Sequence, residues 1–508
     1  MTRALAALST LTVCLAAGCA QTPPVPDATP PVDQLPQVLA APDTKRPPFA
    51  FAAEDEALLD GIQRGAFNFL WHEFNATGMA PDRSSKPDLV SVAGLGFQLS
   101  AFCIGAERGW VPRGEAAARA LRILRAIESH PTNRHFGMFF HFIDGATGGF
   151  PSGTPEDVVS TVDSAIFFAG ALTAGEYFGG EVRGIAERLY EQADWKAFML
   201  ESGVPEYERG AISLAWAPDD PAHPQGPGKF RPYAWVDSGD EHRLVTFLAV
   251  AAPDPARRVD PSVYYRLRRP LGTHGGEVMV YLPWSGAHFV NLFAHCWIDY
   301  AGYGADRPAA HGYPTRSRVD WWENSRRQTV LQRDRAVAAG AKFPSLSPDS
   351  WGLSASDCPA GYCVPGIYPD PIRPPAHRLQ WDTPDYRPRE DLAGGTVTPY
   401  AAVGSVLFEP GLAVSAARAM RAMTGPDGRP AVWRDPSNGA GWGLRDAYRR
   451  GEDGSVWVAA DDLAIDQGPL VLLVENARTG LISRAFHRQR WVRSAVKALG
   501  WEACRGRE

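Results

Sequence analysis

Residues 164–177 read SAIFFAGALTAGEY, and shortly after them residues 181–195 read EVRGIAERLYEQADW. The first segment is apolar nearly all round, the pattern of a helix enclosed by other elements. The second sets Glu181, Arg183, Glu187, Arg188 and Glu191 against an apolar stripe, so it predicts a helix with one face in water. An inner helix followed by an outer one is a repeating unit, and the chain alternates such amphipathic stretches with Gly/Pro/Asp-rich loops. The periodicity predicts helices over 53–73, 90–108, 114–129, 158–177, 181–199, 240–251, 288–299, 319–339, 397–408, 411–423, 466–477 and 485–499. In the third of these Ala117, Ala120, Leu121, Leu124 and Ile127 share a face, while Arg119, Arg122 and Arg125 lie off it. Strand signals are few: 275–282 as one limb of a hairpin, and 455–459 as a short edge. An all-α fold is expected, an (α/α)6 toroid of six inner and six outer helices with few short strands. One end of such a ring is a cleft lined by loops and helix starts, and the long weakly helical segments 200–238 and 340–396 can wall it.

The N-terminus reads as a targeting segment. Arg3 precedes an apolar run, Ala4 to Leu15, that is too short to span a bilayer. Leu15-Ala16-Ala17-Gly18-Cys19 has the form of a lipobox, predicting lipidation of Cys19; ordinary secretory cleavage with release into the periplasm is the alternative. Ala20 after the cysteine resembles the outer-membrane sorting pattern of Gram-negative bacteria. Residues 20–50 are proline-dense and read as a semi-extended tether, leaving 51–508 as the folded body. No other stretch has the apolar length of a transmembrane helix. A net charge of -6 and the absence of basic runs interleaved with aromatics argue against nucleic acid as a partner. Sixteen tryptophans suit a glycan ligand, because indole faces stack on sugar rings, although large helical domains also use tryptophan as core. The cysteines do not have zinc-ligand spacing, so neither metal nor cofactor is expected. A monomer is expected.

Trp351-Gly352-Leu353-Ser354-Ala355-Ser356-Asp357-Cys358-Pro359-Ala360-Gly361-Tyr362-Cys363 is too rich in Gly, Pro and small residues to continue a helix. It reads either as an ordered loop presenting an aromatic platform beside an acid, or as a crossing that buries Trp351 for packing. Cys358 and Cys363 are close enough in sequence to pair in an oxidising compartment, and a disulfide is predicted there.

Four acids recur near helix starts among small or polar residues: Asp163, Glu241, Asp357 and Asp466. Each is open to a capping role, since a helix N-terminus stabilises a carboxylate by roughly 0.3–1 kcal/mol. Asp163 lies within an apolar run, where a buried acid needs a partner or ligand. Asp466 is followed by Gln467-Gly468-Pro469, a poor opening for a plain helix.

The segments Trp351–Asp357 and Gly361-Tyr362 resemble the signature of the bacterial glucoamylase-like domain, typified by the endo-β-1,2-glucanases of glycoside hydrolase family 144. Further segments are similar in order: Gly94–Phe97, Gly105–Trp110, Ser160–Ala165, Asp194-Trp195, Trp297–Tyr300, Trp322–Ser325, Gly395–Pro399, Ile465–Pro469 and Glu475–Gly480. The resemblance runs from about residue 55 to 500 and implies the (α/α)6 toroid and hydrolysis of a glucan by two carboxyl groups. On that basis Glu241 is the expected general acid, with Asp240 as a like charge beside it, and Asp466 the expected base. Asp163 and Asp357 are expected to hold sugar hydroxyls or position water. Trp351, Tyr362 and Trp297 are candidates for stacking, Asp299, His295 and Arg478 for further substrate contact. Three departures from the family put β-1,2-glucan itself in question: Val158 replaces a glutamate, with Glu156 and Asp157 displaced; Gly239-Asp240-Glu241 is followed by His242; and Tyr300-Ala301 stands for Phe-Arg, removing a cation. The competing readings are a non-catalytic glycan-binding lipoprotein and a polysaccharide lyase, the latter kept open by His242 and Arg243.

Overall fold

Gly96 and Gly170 bring two helices closer together than side chains allow. A Cβ on Gly96 would stand 2.2 Å from the Ile166 carbonyl oxygen, and one on Gly170 would stand 2.0 Å from that of Gly96. These glycines join α2 (Val92–Glu107) to α4 (Thr161–Phe178), both buried along most of their length. α2 also packs on α10 (Ala464–Arg478), where Gly468 admits the Phe97 side chain. Backbones that approach as closely as those of α2 and α4 exclude water and lock the crossing, because a methyl on Gly96 or Gly170 meets main chain.

The protein, described by a computed structural model over residues 35–151, 158–372, 389–435 and 441–504, is dominated by helices. The signal segment with Cys19, the first part of the tether, and Glu156 and Asp157 lie outside the described residues. The other α-helices of six residues or more are α1 (Ala53–His72), α3 (Arg113–Ser129), α5 (Gly180–Glu191), α6 (Asp240–Ala251), α7 (Trp321–Ala339), α8 (Pro399–Gly404), α9 (Pro410–Ala422), α11 (Leu481–Arg488) and α12 (Arg490–Ala498), with short turns of helix at Ser262–Arg266 and Tyr300–Tyr303 among the described residues. α4 packs on α6 and α8 on α10, so buried helices neighbour one another. Against them from outside lie α1 on α10, α3 on α2, α5 on α4, α12 on α6 and α9 on α8. α3 and α5 bury only one stripe each, as their charge pattern requires.

The expected helix over 288–299 is instead two 3-10 turns, His288–Asn291 and Phe293–Cys296. The physical cause is visible: the Ala294 amide donates to the buried Asp240 carboxylate rather than to a carbonyl one turn back. The stretch expected as 485–499 is two helices broken at Gln489, and 181–199 ends its α-helix at Glu191. The predicted hairpin is Leu271–His274 paired with Glu277–Val280, and the short edge is Val456–Val458 paired with Tyr448–Arg450. Among the described residues the strands are two to four residues long, in two- and three-stranded sheets.

The N-terminal arm crosses α7 and the C-terminal end of α10. Val38 bridges to Val319, Phe49 N–H donates to Ala477 O at 2.8 Å, and Arg46 pairs with Asp320. Ala477 is eleven residues past Asp466 on α10, about 16 Å along the axis. The arm therefore lies toward the opposite end of that helix from Asp466.

Candidate active site

Four buried helices begin at one place, and each brings a titratable side chain in its first turn: Asp163 on α4, Glu241 on α6, Tyr400 on α8 and Asp466 on α10. The loop before α2 adds Asp82 and Arg83, and the Ser356–Cys358/Gly361–Cys363 hairpin adds Asp357 and Tyr362. Their mutual electrostatics show them to be neighbours. Burial first, then Asp163 and Asp240, raises Glu241 to about 8. Burial first, then Asp357 and Asp82, pushes Asp466 well above the usual carboxylate range. Tyr400 is held high by burial first and then by Asp466, with Glu241 adding to the effect, so its phenol feels both acids.

Asp466 is buried, and its Oδ2 has no hydrogen-bond partner in the protein. A buried oxygen left unpaired is costly unless a ligand or water completes it. Behind it, Asp446 accepts from the Leu463 amide and the Gln467 side chain, which fixes the turn carrying Asp466. Asp446 is itself raised by burial and by Asp466.

Asp163 serves two ends. Ser160 caps α4, receiving the Asp163 amide at 3.3 Å, and its hydroxyl also bonds the Asp163 carboxylate. The other carboxylate oxygen faces His141 Nε2 at 3.6 Å. Asp357 is half-buried and ion-paired with Arg83 at 3.3 Å, and Arg83 also reaches Asp461 at 3.1 Å. Burial raises Asp357 against the pull of Arg83. Tyr362 faces Asp357 across the hairpin and keeps 40% of its surface exposed, although its hydroxyl end feels Asp466, Asp82 and Asp357. Cys358 and Cys363 are disulfide-bonded, their Cα atoms 5.8 Å apart, and so close the tip that carries Tyr362.

The other candidates lie elsewhere. Trp351 is 0% exposed and anchors its loop in the core, the packing alternative. Gly352, at φ +96, lets that loop pass the backbone of Ala402. Trp297 is likewise fully buried, donating to Ser100 Oγ at 3.0 Å and packed on Phe97. His295 is buried against Ser325 and Phe408 and kept neutral by burial. Arg478 is spent on α1, bonding Glu56 at 2.8 Å and Gln63 at 2.7 Å. Asp299 accepts from the Gly302 amide at 3.1 Å to cap a single-turn helix, beside a cavity of about 440 Å³ shared with Pro47, Asn476 and Arg484. That cavity is at the arm's end of α10. The cation expected to be missing at Ala301 is no loss to the cleft: Ala301 meets the arm, its carbonyl accepting from Arg46 at 3.0 Å. The cleft has a cation of its own in Arg83. Asp82, Arg83, His141 and Tyr400 escape sequence reasoning because they stand in irregular loops or behind a proline, with no periodicity to single them out.

Acids gathered at the starts of buried helices, with two raised carboxyls both acting on one tyrosine, define a helical protein with a buried acidic cluster. The chain belongs to the glycoamylase family: that family's sequence model, described as "Putative glucoamylase", matches residues 232–490. An exo-β-1,2-glucooligosaccharide sophorohydrolase (non-reducing end) of Parabacteroides distasonis is 23% identical over 463 residues, 85% of this chain and 56% of that protein. The chain thus spans little more than half the length of that relative. Two solved structures have the same fold. A β-1,2-glucanase from Parabacteroides distasonis superposes with a TM-score of 0.69 at 20% identity, covering 89% of this chain and 60% of the other. The endo-β-1,2-glucanase from Chitinophaga pinensis, solved with sophorotriose and glucose, gives 0.67 at 21%, covering 89% and 98%.

Proposed function

We propose that the protein is a glycoside hydrolase cleaving a glucan, β-1,2-linked or closely related, by inverting general acid/base chemistry. The observation that carries this reading is the pair of raised carboxyls, Glu241 and Asp466, both felt by Tyr400. Glu241, protonated at neutral pH, gives its proton to the glycosidic oxygen as the bond from that oxygen to the anomeric carbon breaks. Asp466 Oδ2 takes a proton from a water that attacks the anomeric carbon on the opposite face. In an inverting site the two carboxyls stand roughly 6.5–9.5 Å apart to admit that water. A carboxylate whose pKa is raised is also a stronger base. Asp163, Asp357 and Arg83 hold hydroxyls or the water, and Tyr362 offers a ring face at the rim.

The (α/α)6 toroid belongs to the same proposal. Buried helices neighbouring one another, each backed by a one-faced helix, support it, as does the gathering of their starts at one end. Export and lipidation at Cys19 are proposed from the signal segment. The arm's course toward the far end of α10 fits such an anchor, with the cleft turned away from it. The protein is proposed to act as a monomer.

The test is a panel of linked glucooligosaccharides with products read by mass and anomeric configuration by NMR. Wild type is expected to release inverted products from a β-1,2-linked member. Glu241→Gln and Asp466→Asn are expected to lose about 10²–10⁴-fold in kcat. Retained activity in either variant, or no cleavage of any glucan by wild type, removes the proposal.

A further inference from the structure

The first turn of α6 carries a second feature beside Glu241. His242 is buried, and its ring is enclosed by two tryptophans: Trp235 at 4.3 Å between centroids, and Trp284 at 5.5 Å with the planes only 15° apart. His242 Nδ1–H donates to Asp237 O at 2.6 Å, which fixes the ring, and burial lowers its pKa to about 3, so it is neutral. Trp235 in turn donates its indole N–H to Thr161 Oγ1 at 2.8 Å, tying the stack to the start of α4, two residues from Asp163. Trp284, the outermost member, leaves 48% of its surface in solvent. Its loop is nonetheless rigidly mounted: the Gly286 carbonyl accepts from Ile367 N–H at 3.1 Å and from Gln332 Nε2 at 2.9 Å. A Cβ on Gly286 would meet the Ile367 amide nitrogen at 2.2 Å.

A large indole held this firmly on the residue next to Glu241 and left half in water is suited to binding an apolar face. Its partner must present a flat apolar face flanked by polar groups. A pyranose ring does so, and a gluco-configured ring does it best, because equatorial hydroxyls leave the ring C–H groups uncovered on both faces. We infer that Trp284, braced by His242 and Trp235, is the stacking platform for the gluco-configured sugar ring bound on the Glu241 side of the cleft. Tyr362, 40% exposed beside Asp357 and influenced by Asp466, offers a second ring face near the other carboxyl. His242, a departure from the family pattern, is thereby accounted for as the middle layer of the stack. The inference rests on the glucanase reading and deepens it.

The experiment uses β-1,2-linked glucooligosaccharides of increasing length with wild type, Trp284→Phe and Trp284→Leu, each checked by thermal midpoint. Trp284→Leu keeps apolar bulk and loses the planar face; it is expected to raise KM about tenfold with kcat little changed, and Trp284→Phe to recover part of the loss. Binding to Glu241→Gln, followed by tryptophan fluorescence, is expected to shift the signal, and the shift is expected to disappear in Glu241→Gln/Trp284→Phe. An unchanged KM in Trp284→Leu, or an undiminished fluorescence shift in the double variant, overturns the platform while leaving the hydrolase standing. If wild type neither binds nor cleaves these sugars, the hydrolase reading falls and the platform with it.

Discussion

Glu241 keeps its proton up to about pH 8 because burial strips water from its carboxylate and Asp163 and Asp240 then add like charge. This has a consequence for stability with a definite sign. An unfolded glutamate titrates near 4.3, so between that pH and about 8 the native state binds more protons than the unfolded one. Stability contributed by this group is therefore complete below the unfolded value and declines as pH rises through the window. Glu241→Gln, which cannot ionise, is expected to raise the thermal midpoint, and by more at pH 8 than at pH 5; an equal or smaller gain at pH 8 contradicts the raised pKa. The rate is expected to fall as pH passes about 8, when the acid is lost. At this scale the sequence was legible in part. Acids at helix starts between small residues stood out, because few other positions combine those features. Trp351 and Trp297 did not declare their orientation: the same residue type serves core and sugar, and only the direction of the side chain separates the two.

The α2–α4 crossing is decided by glycines, and the competing effects there have opposite signs. Gly→Ala inside a helix gains about 1 kcal/mol in propensity, whereas overpacking a tight core costs about 1–3 kcal/mol. At Gly170 the added methyl would meet backbone atoms of Gly96 at 2.0–2.6 Å, which cannot rotate away, so the clash outweighs the gain. Gly170→Ala is expected to lower the urea midpoint, while Gly114→Ala, with nothing within 4 Å on α3, leaves it unchanged or slightly raised. Two variants moving together would mean that propensity, not close approach, governs the crossing. Most helices were readable from their 3.6-residue period. The stretch at 288–299 was not, because its backbone is diverted by Asp240, a residue some fifty positions earlier that no local pattern reveals.

For the molecule as a whole, the N-terminal arm is a strap across helices far along the chain. Arg46 joins Asp320, lies 5.0 Å from the Trp322 ring and donates to Ala301 O, at the end of the fold away from Asp466. Removing it leaves Asp320 buried with its largest counter-charge gone. Arg46→Ala is expected to lose about 1–3 kcal/mol of stability in denaturant titrations, with kcat on the best substrate unchanged; a lost kcat at full stability would show the arm reaching the cleft. By itself, the sequence determined that this chain is a set of paired helices with acids near several of their starts, since periodicity and helix-end chemistry are local. Only tertiary structure decided which helix starts meet. Asp82, Arg83 and Tyr400 join the four acids through pairings distant in sequence, Arg83 with Asp357 and Asp82 with Asp466 among them, and burial, which raises Glu241 and Asp466, is a property of the assembled site rather than of either segment.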